Sequence, residues 1–321
     1  MYRIFSQINL LSLVLFPSLI ILYILLHSTF QEGLYTFESN NIAYLGVWGS
    51  APISSFLNII LCGTFVFVNA TVLNWVFNKL NFYERSTLLP GFIYVILLTN
   101  TREFSVFDGA LIFHLLIILT LYLLSRITIN KQHSEVFFNM GFLLGIGASF
   151  FPVFYFAFPV FYIVSLLLKT YKLRELTSYL AGWILPQIFV AFYLFIFKIP
   201  FLNSVESWPN NIPLIPLNYF FDTIILLFTF LIVITTVTSV VSTLSLHLRR
   251  YTFTIVVLAI MSVVVATHFY LFFGDIRIIH MVTIPLAILF AIVLLKKKNK
   301  FLQFIAFYSV FIFSFLKFFF T

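Results

Sequence analysis

The feature that most constrains this chain is a series of apolar runs, separated by short polar segments, that continues through the whole sequence. An α-helix needs about 20 apolar residues to cross the hydrocarbon core of a bilayer. The sequence therefore predicts an all-α, polytopic integral membrane protein with about eleven transmembrane helices. The predicted spans lie near residues 9–27, 54–78, 87–99, 109–125, 136–150, 152–168, 177–197, 217–246, 252–273, 277–295 and 301–320.

Composition supports the bilayer as the natural solvent of this chain. Of its 321 residues, 62% are hydrophobic and 9% are charged, whereas a soluble domain carries about 25% charged residues. The polar segments between the runs are too short to bury cores of their own. We therefore expect a single transmembrane domain over residues 1–321 and no separate soluble domain.

The placement of the basic residues predicts the orientation. The net charge of +8 does not indicate nucleic-acid binding, because the Lys and Arg residues lie between apolar runs, where the positive-inside rule accounts for them. With a cytoplasmic N-terminus and an uncleaved first span, all but four of the 18 fall on the cytoplasmic side. We expect a multi-pass protein of the bacterial cytoplasmic (inner) membrane with a periplasmic C-terminus. The outer cations are Arg102, Lys198, Arg277 and Lys317.

Two predicted spans are too short to cross the bilayer unaided. The run 87–99 contains Pro90 and Gly91, and the run 136–150 ends just before Pro152. Interrupted helices are tolerated at membrane depth where they line a cavity or are buried in protein. We therefore expect both segments to mark a site.

The first outer loop, about residues 28–53, carries two carboxylates that are candidates for catalysis. Glu32 or Glu38 could act as a general base or bind a metal. The alternative is a solvated loop anchored at the interface by Trp48, and we favour it, because isolated loop acids seldom prove catalytic.

The second outer loop follows the short third span and contains Arg102, Glu103 and Asp108. Arginine suits bidentate recognition of phosphate, so these residues are candidates for substrate binding. A local ion pair of Arg102 with Glu103 or Asp108 explains them equally well.

A third group of candidates lies at the start of the tenth span, just inside the outer boundary. Arg277 and His280 are three residues apart and would share one face of a helix. Together with Arg102 they could bind an anionic lipid headgroup or pyrophosphate. An interface anchor formed by Asp275 and Arg277 is the slightly favoured alternative.

Polar and small residues within the spans suggest packing more than chemistry. Three glycines permit close helix packing, and three hydroxyl residues form a stripe that we expect to make interhelical hydrogen bonds. His114 is a functional hypothesis by default as an intramembrane histidine, although no partner is close in sequence. Nucleotide-binding, metal and nucleophile motifs are absent, and a single cysteine, Cys62, lies within a span. The glycines and hydroxyls are Gly141, Gly145, Gly147, Thr235, Ser239 and Ser242.

The central region resembles known membrane proteins. Residues 75–200 alternate basic breaks with helices that contain small residues, and the second of two consecutive hairpins, residues 136–168, turns at Pro152. This order resembles the central membrane region of C-type (GT-C) glycosyltransferases, which use lipid-phosphate-linked sugar donors at the outer face. The segment from Lys172 to Pro186 looks still more like an uncharacterised Phe-rich membrane-protein family of Bacteroidota. The transferase resemblance implies an essential acid in the first outer loop, where this chain has Glu32 and Glu38.

We therefore predict a GT-C-like protein of cell-envelope biogenesis that contacts membrane lipids and a polyprenyl-phosphate-linked substrate. Glu32 or Glu38 would be the base, and the remaining candidates would bind the substrate. We expect no metal, cofactor or nucleic acid. The alternatives are a transporter or flippase, suggested by the interrupted helices, and a non-catalytic subunit of a membrane complex. The substrate-binding candidates are Arg102, Glu103, Asp108, Arg277 and His280.

Overall fold

A computed structural model describes residues 2–30, 55–99, 109–127, 133–150, 155–168, 173–198, 217–273, 281–296 and 301–320. Over these ranges the chain is helical and contains no strand. The twelve helices are α1 (Tyr2–Phe5), α2 (Leu10–Phe30), α3 (Ser55–Lys79), α4 (Leu89–Thr99), α5 (Gly109–Ser125), α6 (Ser134–Phe150), α7 (Ala157–Leu166), α8 (Leu173–Ile196), α9 (Leu217–Val241), α10 (Leu246–Phe273), α11 (Thr283–Lys296) and α12 (Phe301–Phe320).

The all-α architecture is confirmed, and each predicted run contains one helix. The only additional helix in the described ranges is the short α1. Five helices are long and apolar enough to cross a membrane, which is consistent with an α-helical membrane protein. They comprise residues Leu10–His27, Leu57–Lys79, Leu173–Ile196, Ile224–Val241 and Leu246–His268.

Two short helices, α4 and α11, form the centre of the bundle. Every residue of α4 is buried, and α11 is buried from Thr283 to Leu294. Both are apolar on all sides, as expected for a helix that is enclosed by others. The two pack against each other, α4 also against α3 and α12, and α11 also against α9 and α10. The short third span is therefore buried in protein, one of the two arrangements that its length predicted.

The start of α4 shows why Pro90 does not interrupt this helix. The first N–H groups of a helix have no partner within it. The N–H of Leu89 donates to the hydroxyl of Thr87 (3.1 Å), and the N–H of Gly91 donates to Asn74 Oδ1 (2.7 Å). Pro90, between them, has no N–H that would need an acceptor. Proline is tolerated in the first turn for this reason. The predicted interruption of the third span is wrong, because Pro90 and Gly91 begin a regular helix.

α1 packs against the N-terminal end of α4. The backbone carbonyl of Phe5 accepts hydrogen bonds from the N–H of Leu88 (3.0 Å) and the hydroxyl of Thr87 (2.8 Å). The ring of Phe5 stacks on that of Phe92, with centroids 3.9 Å apart. The N-terminal segment therefore forms part of the core.

α6 and α8 run parallel and are in very close contact. A Cβ at Gly141 would lie 2.1 Å from the carbonyl oxygen of Tyr179, and one at Gly182 would lie 2.1 Å from that of Phe138. Gly145 faces the backbone of Trp183 in the same way, and Gly147 faces the ring of Phe113 on α5. The prediction that these glycines serve helix packing is confirmed.

The predicted role of the hydroxyl stripe on α9 is wrong. Thr235, Ser239 and Ser242 are exposed, and their hydroxyls donate to carbonyls of α9 itself, at 2.9, 2.7 and 3.1 Å. Ser and Thr can satisfy their hydroxyls in this way within one helix. No neighbouring helix is needed to accept these bonds.

Candidate functional site

The site residues predicted from the sequence lie outside the described residues, so their roles stay predictions. Two described residues adjoin them along the chain. Thr99 ends α4 three positions before Arg102, and Met281 directly follows His280. The residues outside the described ranges are Glu32, Glu38, Arg102, Glu103, Asp108, Arg277 and His280.

Lys317 brings a charged group into the interior of the bundle. Its side chain is only 8% exposed, and its ammonium donates a hydrogen bond to the backbone carbonyl of Thr99, the last residue of α4. That carbonyl belongs to the negative end of the α4 dipole, which favours a cation. The ring centroid of Phe318 lies 5.1 Å from the ammonium and adds a cation–π contact. Charged side chains within membrane helices are costly and are commonly functional.

Further polar side chains lie at the same end of the bundle. The hydroxyls of Tyr23 on α2 and Ser314 on α12 are 2.6 Å apart, and Thr99 lies near the Tyr23 hydroxyl. The ring of His27 packs edge-on against Phe318, with centroids 4.8 Å apart. All of these side chains are buried. We define the lysine cluster as Tyr23, His27, Thr99, Ser314 and Lys317.

In the sequence, Lys317 is one of the four predicted outer cations and belongs to none of the predicted sites. One signal was available, because Lys317 and Ser314 are three residues apart and share a face in an otherwise mostly apolar run. That this face turns inward onto α2 and α4 depends on how the helices pack, which periodicity alone does not reveal.

A second polar group lies in the core between α3, α4 and α5. The hydroxyl of Tyr94 is 2.7 Å from Nδ1 of His114. The amide nitrogen of Asn69 donates to the carbonyl of Leu111 at 2.9 Å and lies 3.4 Å from the Tyr94 hydroxyl. All three side chains are fully buried. We define the histidine cluster as Asn69, Tyr94 and His114. Tyr94 on α4 is a hydrogen-bond partner of His114 that the local sequence did not reveal.

A small apolar pocket lies between α5, α7, α10 and α11, with a cavity volume of about 10 Å³. Its lining includes Ile117, Phe161, Leu258 and Met281, and a hydroxyl from Ser262. That hydroxyl donates to the carbonyl of Leu258 at 2.8 Å. The pocket therefore offers a hydrocarbon surface with little polar chemistry.

Comparison with known proteins gives no identification. No family model, curated protein or solved structure matches the chain. Among the described residues, no three His, Cys, Asp or Glu side chains come together to hold a metal ion. The chemistry of the lysine cluster is therefore the strongest guide to function.

Proposed function

We propose that the protein binds a polyprenyl-phosphate-linked substrate at the outer face of the bacterial cytoplasmic membrane and acts in cell-envelope biogenesis. The observation that carries the proposal is the buried ammonium of Lys317, which is held at the carboxyl end of α4. A lipid phosphate that reaches this position would gain charge-assisted hydrogen bonds. The attraction would be stronger than in water, because the surroundings are apolar.

The distribution of basic residues supports the outer face as the location. An N-terminus in the cytoplasm would bring the carboxyl ends of α2, α4 and α12, where the lysine cluster lies, to the outer side. Arg102 follows Thr99 by three positions, so their backbones are at most about 11 Å apart in any conformation. Lys317 and Arg102 are thus candidates to bind the same phosphate group.

Transfer of the sugar from this lipid is the activity that we propose for the predicted acids. Glu32 or Glu38 would act as the base that activates the acceptor, as the resemblance to GT-C transferases implies. Arg277 and His280 would assist Arg102 in binding the phosphate, with Glu103 and Asp108 beside them. Binding of the lipid and transfer of the sugar can be measured separately.

The binding claim is tested with the purified full-length protein in mild detergent. We expect a polyprenyl phosphate to raise its melting temperature more than the uncharged polyprenol does. Lys317→Met should weaken phosphate binding about tenfold or more, because hydrogen bonds to charged groups are worth about 1.5–3 kcal/mol. Lys198→Met, at an exposed residue at the end of α8, is the matched control and should leave binding unchanged.

Two further variants distinguish a loss of phosphate binding from a folding defect. Lys317→Arg keeps the charge and should retain most of the binding, and Ser314→Ala should weaken it by a smaller factor. Melting without ligand reports whether each variant folds. Equal affinities of the folded wild-type and Lys317→Met proteins for the phosphate would overturn the proposal.

The transfer claim is tested in a strain that lacks the protein and shows an envelope defect. We expect the double variant Glu32→Gln, Glu38→Gln to be produced normally and not to restore the envelope. Full restoration would exclude catalysis by these acids and would favour a flippase or a non-catalytic subunit of a membrane complex.

A further inference from the structure

α8 is held differently on the two sides of Pro186. Before this residue, its backbone meets that of α6 at Gly141 and Gly182, where an added Cβ would lie 2.1 Å from a carbonyl oxygen of the other helix. After it, Leu194 is the only buried residue of the segment 188–196. The first part of α8 is therefore packed onto α6, whereas the last part has a largely exposed surface.

Pro186 allows α8 to bend at this boundary. It lies inside the helix and has no N–H, so it cannot donate to the carbonyl of Gly182, one turn earlier. Sharp bends in helices occur mainly at prolines. The ring of Pro186 rests on α6, because a Cβ at Gly145 would lie 3.0 Å from its Cγ. A bend here would move the segment 188–196 and leave the first part of α8 in place.

Gln187, the next residue, connects this boundary to two other parts of the chain. Its amide nitrogen donates to the carbonyl of Gly145 on α6 (2.8 Å), and its amide oxygen accepts from the hydroxyl of Tyr155, two residues before α7 (2.7 Å). Gln187 has the only amide side chain in α8. A hydrogen bond between membrane helices shifts an equilibrium by only about threefold on average. The two bonds therefore favour this arrangement and are still weak enough to break reversibly.

Aromatic rings fill the space next to Gln187 and Tyr155. The ring of Trp183 on α8 contacts those of Tyr155 and Phe158, with centroid distances of 5.6 and 4.9 Å. Trp183 lies near the middle of a 24-residue helix, so in a bilayer it would be at the depth of the acyl chains. Acyl chains are therefore the groups that would meet this aromatic surface if the segment 188–196 moved.

We propose that the segment 188–196 is a gate that swings on Pro186, and that its opening lets a phospholipid acyl chain enter between α7 and α8. The hydrogen bonds of Gln187 to Gly145 and Tyr155 break when the gate opens. A leucine at position 187 would hold the contact by packing alone. The glutamine adds two directional bonds, which define the closed position of the gate.

Distances between pairs of spin labels measure this movement in the full-length Cys62→Ala protein in lipid nanodiscs. One pair joins Phe192→Cys in the gate to Ile21→Cys on α2, and the control pair joins Leu180→Cys to the same position on α2. All three native side chains are exposed. We expect Gln187→Leu to increase the population with a displaced Phe192 label at least about threefold, because the interhelical bonds are lost. The distance from Leu180, before the boundary, should not change.

Three further variants separate bending at Pro186 from general loosening. Pro186→Ala restores the N–H and should lower the displaced population below that of the wild type, because α8 then bends less easily. Ser178→Ala is the matched control and should have no effect, since this hydroxyl donates to the carbonyl of Arg174 within α8 (2.8 Å). Tyr155→Phe removes one of the two bonds and replaces Gln187→Leu if that variant does not fold.

Entry of the chain is measured by the fluorescence of Trp183 in vesicles of phospholipids with brominated acyl chains, which quench tryptophan. The other three tryptophans of the chain are first replaced by phenylalanine. Gln187→Leu should raise the quenched fraction, and Pro186→Ala should lower it.

Equal distances in the wild type and Gln187→Leu would overturn the proposal. A displacement shared by the Phe192 and Leu180 labels would also overturn it, as would quenching of Trp183 that does not respond to Gln187→Leu. None of these variants changes the lysine cluster, so the outcome is independent of the proposed phosphate binding.

Discussion

Polar side chains in this bundle repeatedly form hydrogen bonds with backbone groups of neighbouring segments. Asn78 both donates to the carbonyl of Thr87 and accepts from its N–H, each at 3.0 Å. The hydroxyl of Tyr179 donates to the carbonyl of Phe158 at 2.8 Å. Unsatisfied backbone groups are costly in an apolar environment, because no water can replace the missing bond. These residues therefore stabilise helix ends and contacts more than they provide reactive groups.

Asn74 allows a direct test of this role. Asn74→Leu should lower stability by about 1–3 kcal/mol, because the buried N–H of Gly91 would lose its acceptor. Thermal unfolding of the purified protein measures the effect. Thr64→Ala on the same helix removes an exposed hydroxyl that bonds only within α3 and should change little. Equal melting temperatures for wild type and Asn74→Leu would contradict the assignment.

Small residues determine how closely two of the helices approach. The contact of α6 with α8 requires backbone to meet backbone, and glycines from both helices, Gly141 and Gly182, provide the space. Helix association in membranes depends on such close packing, because lipid offers no hydrophobic driving force between apolar helices. This pair of helices should behave as one packed unit.

Gly182→Ala tests the closeness of this contact. The new Cβ would lie 2.1 Å from the carbonyl oxygen of Phe138, so the helices would have to separate. We expect a loss of about 1–3 kcal/mol in stability, the usual range for overpacking. Ala181→Leu, at the exposed neighbouring position, is the control for a size increase and should be tolerated. A fully stable Gly182→Ala protein would show that α6 and α8 are further apart.

For the whole molecule, apolar side chains face outward as well as inward. On α8 the exposed residues include Ile188, Phe189, Phe192 and Phe195, the last of them 81% exposed. Such a surface is unfavourable in water and natural in lipid. The burial of α4 and α11 shows that the same apolar composition also forms the core.

The orientation of the molecule is tested by labelling single cysteines in intact cells. In a Cys62→Ala background, we expect Lys172→Cys to react only after the cytoplasmic membrane is made permeable. Glu38→Cys should react with an impermeant maleimide from the periplasm, because the positive-inside rule places these residues on opposite sides. The reverse pattern would invert the orientation and remove the proposed outer site.

The sequence by itself determined the helical architecture, because apolar runs of this length leave the backbone no other way to satisfy its hydrogen bonds in lipid. The runs also located the helices from α2 to α12 well. The glycines on α6 indicated close packing, since the absence of a side chain is a local property. The predicted candidates in the loops rest on the sequence alone.

Tertiary structure decided which helices lie inside. α4 and α8 are both apolar, yet α4 is fully buried and α8 is largely exposed. The partner of Lys317 comes from a helix distant in sequence, at Thr99, and that of His114 comes from the preceding helix, at Tyr94. Periodicity describes the faces of one helix, but only the packing of several helices brings such groups together, and for this reason both polar clusters were visible only in the fold.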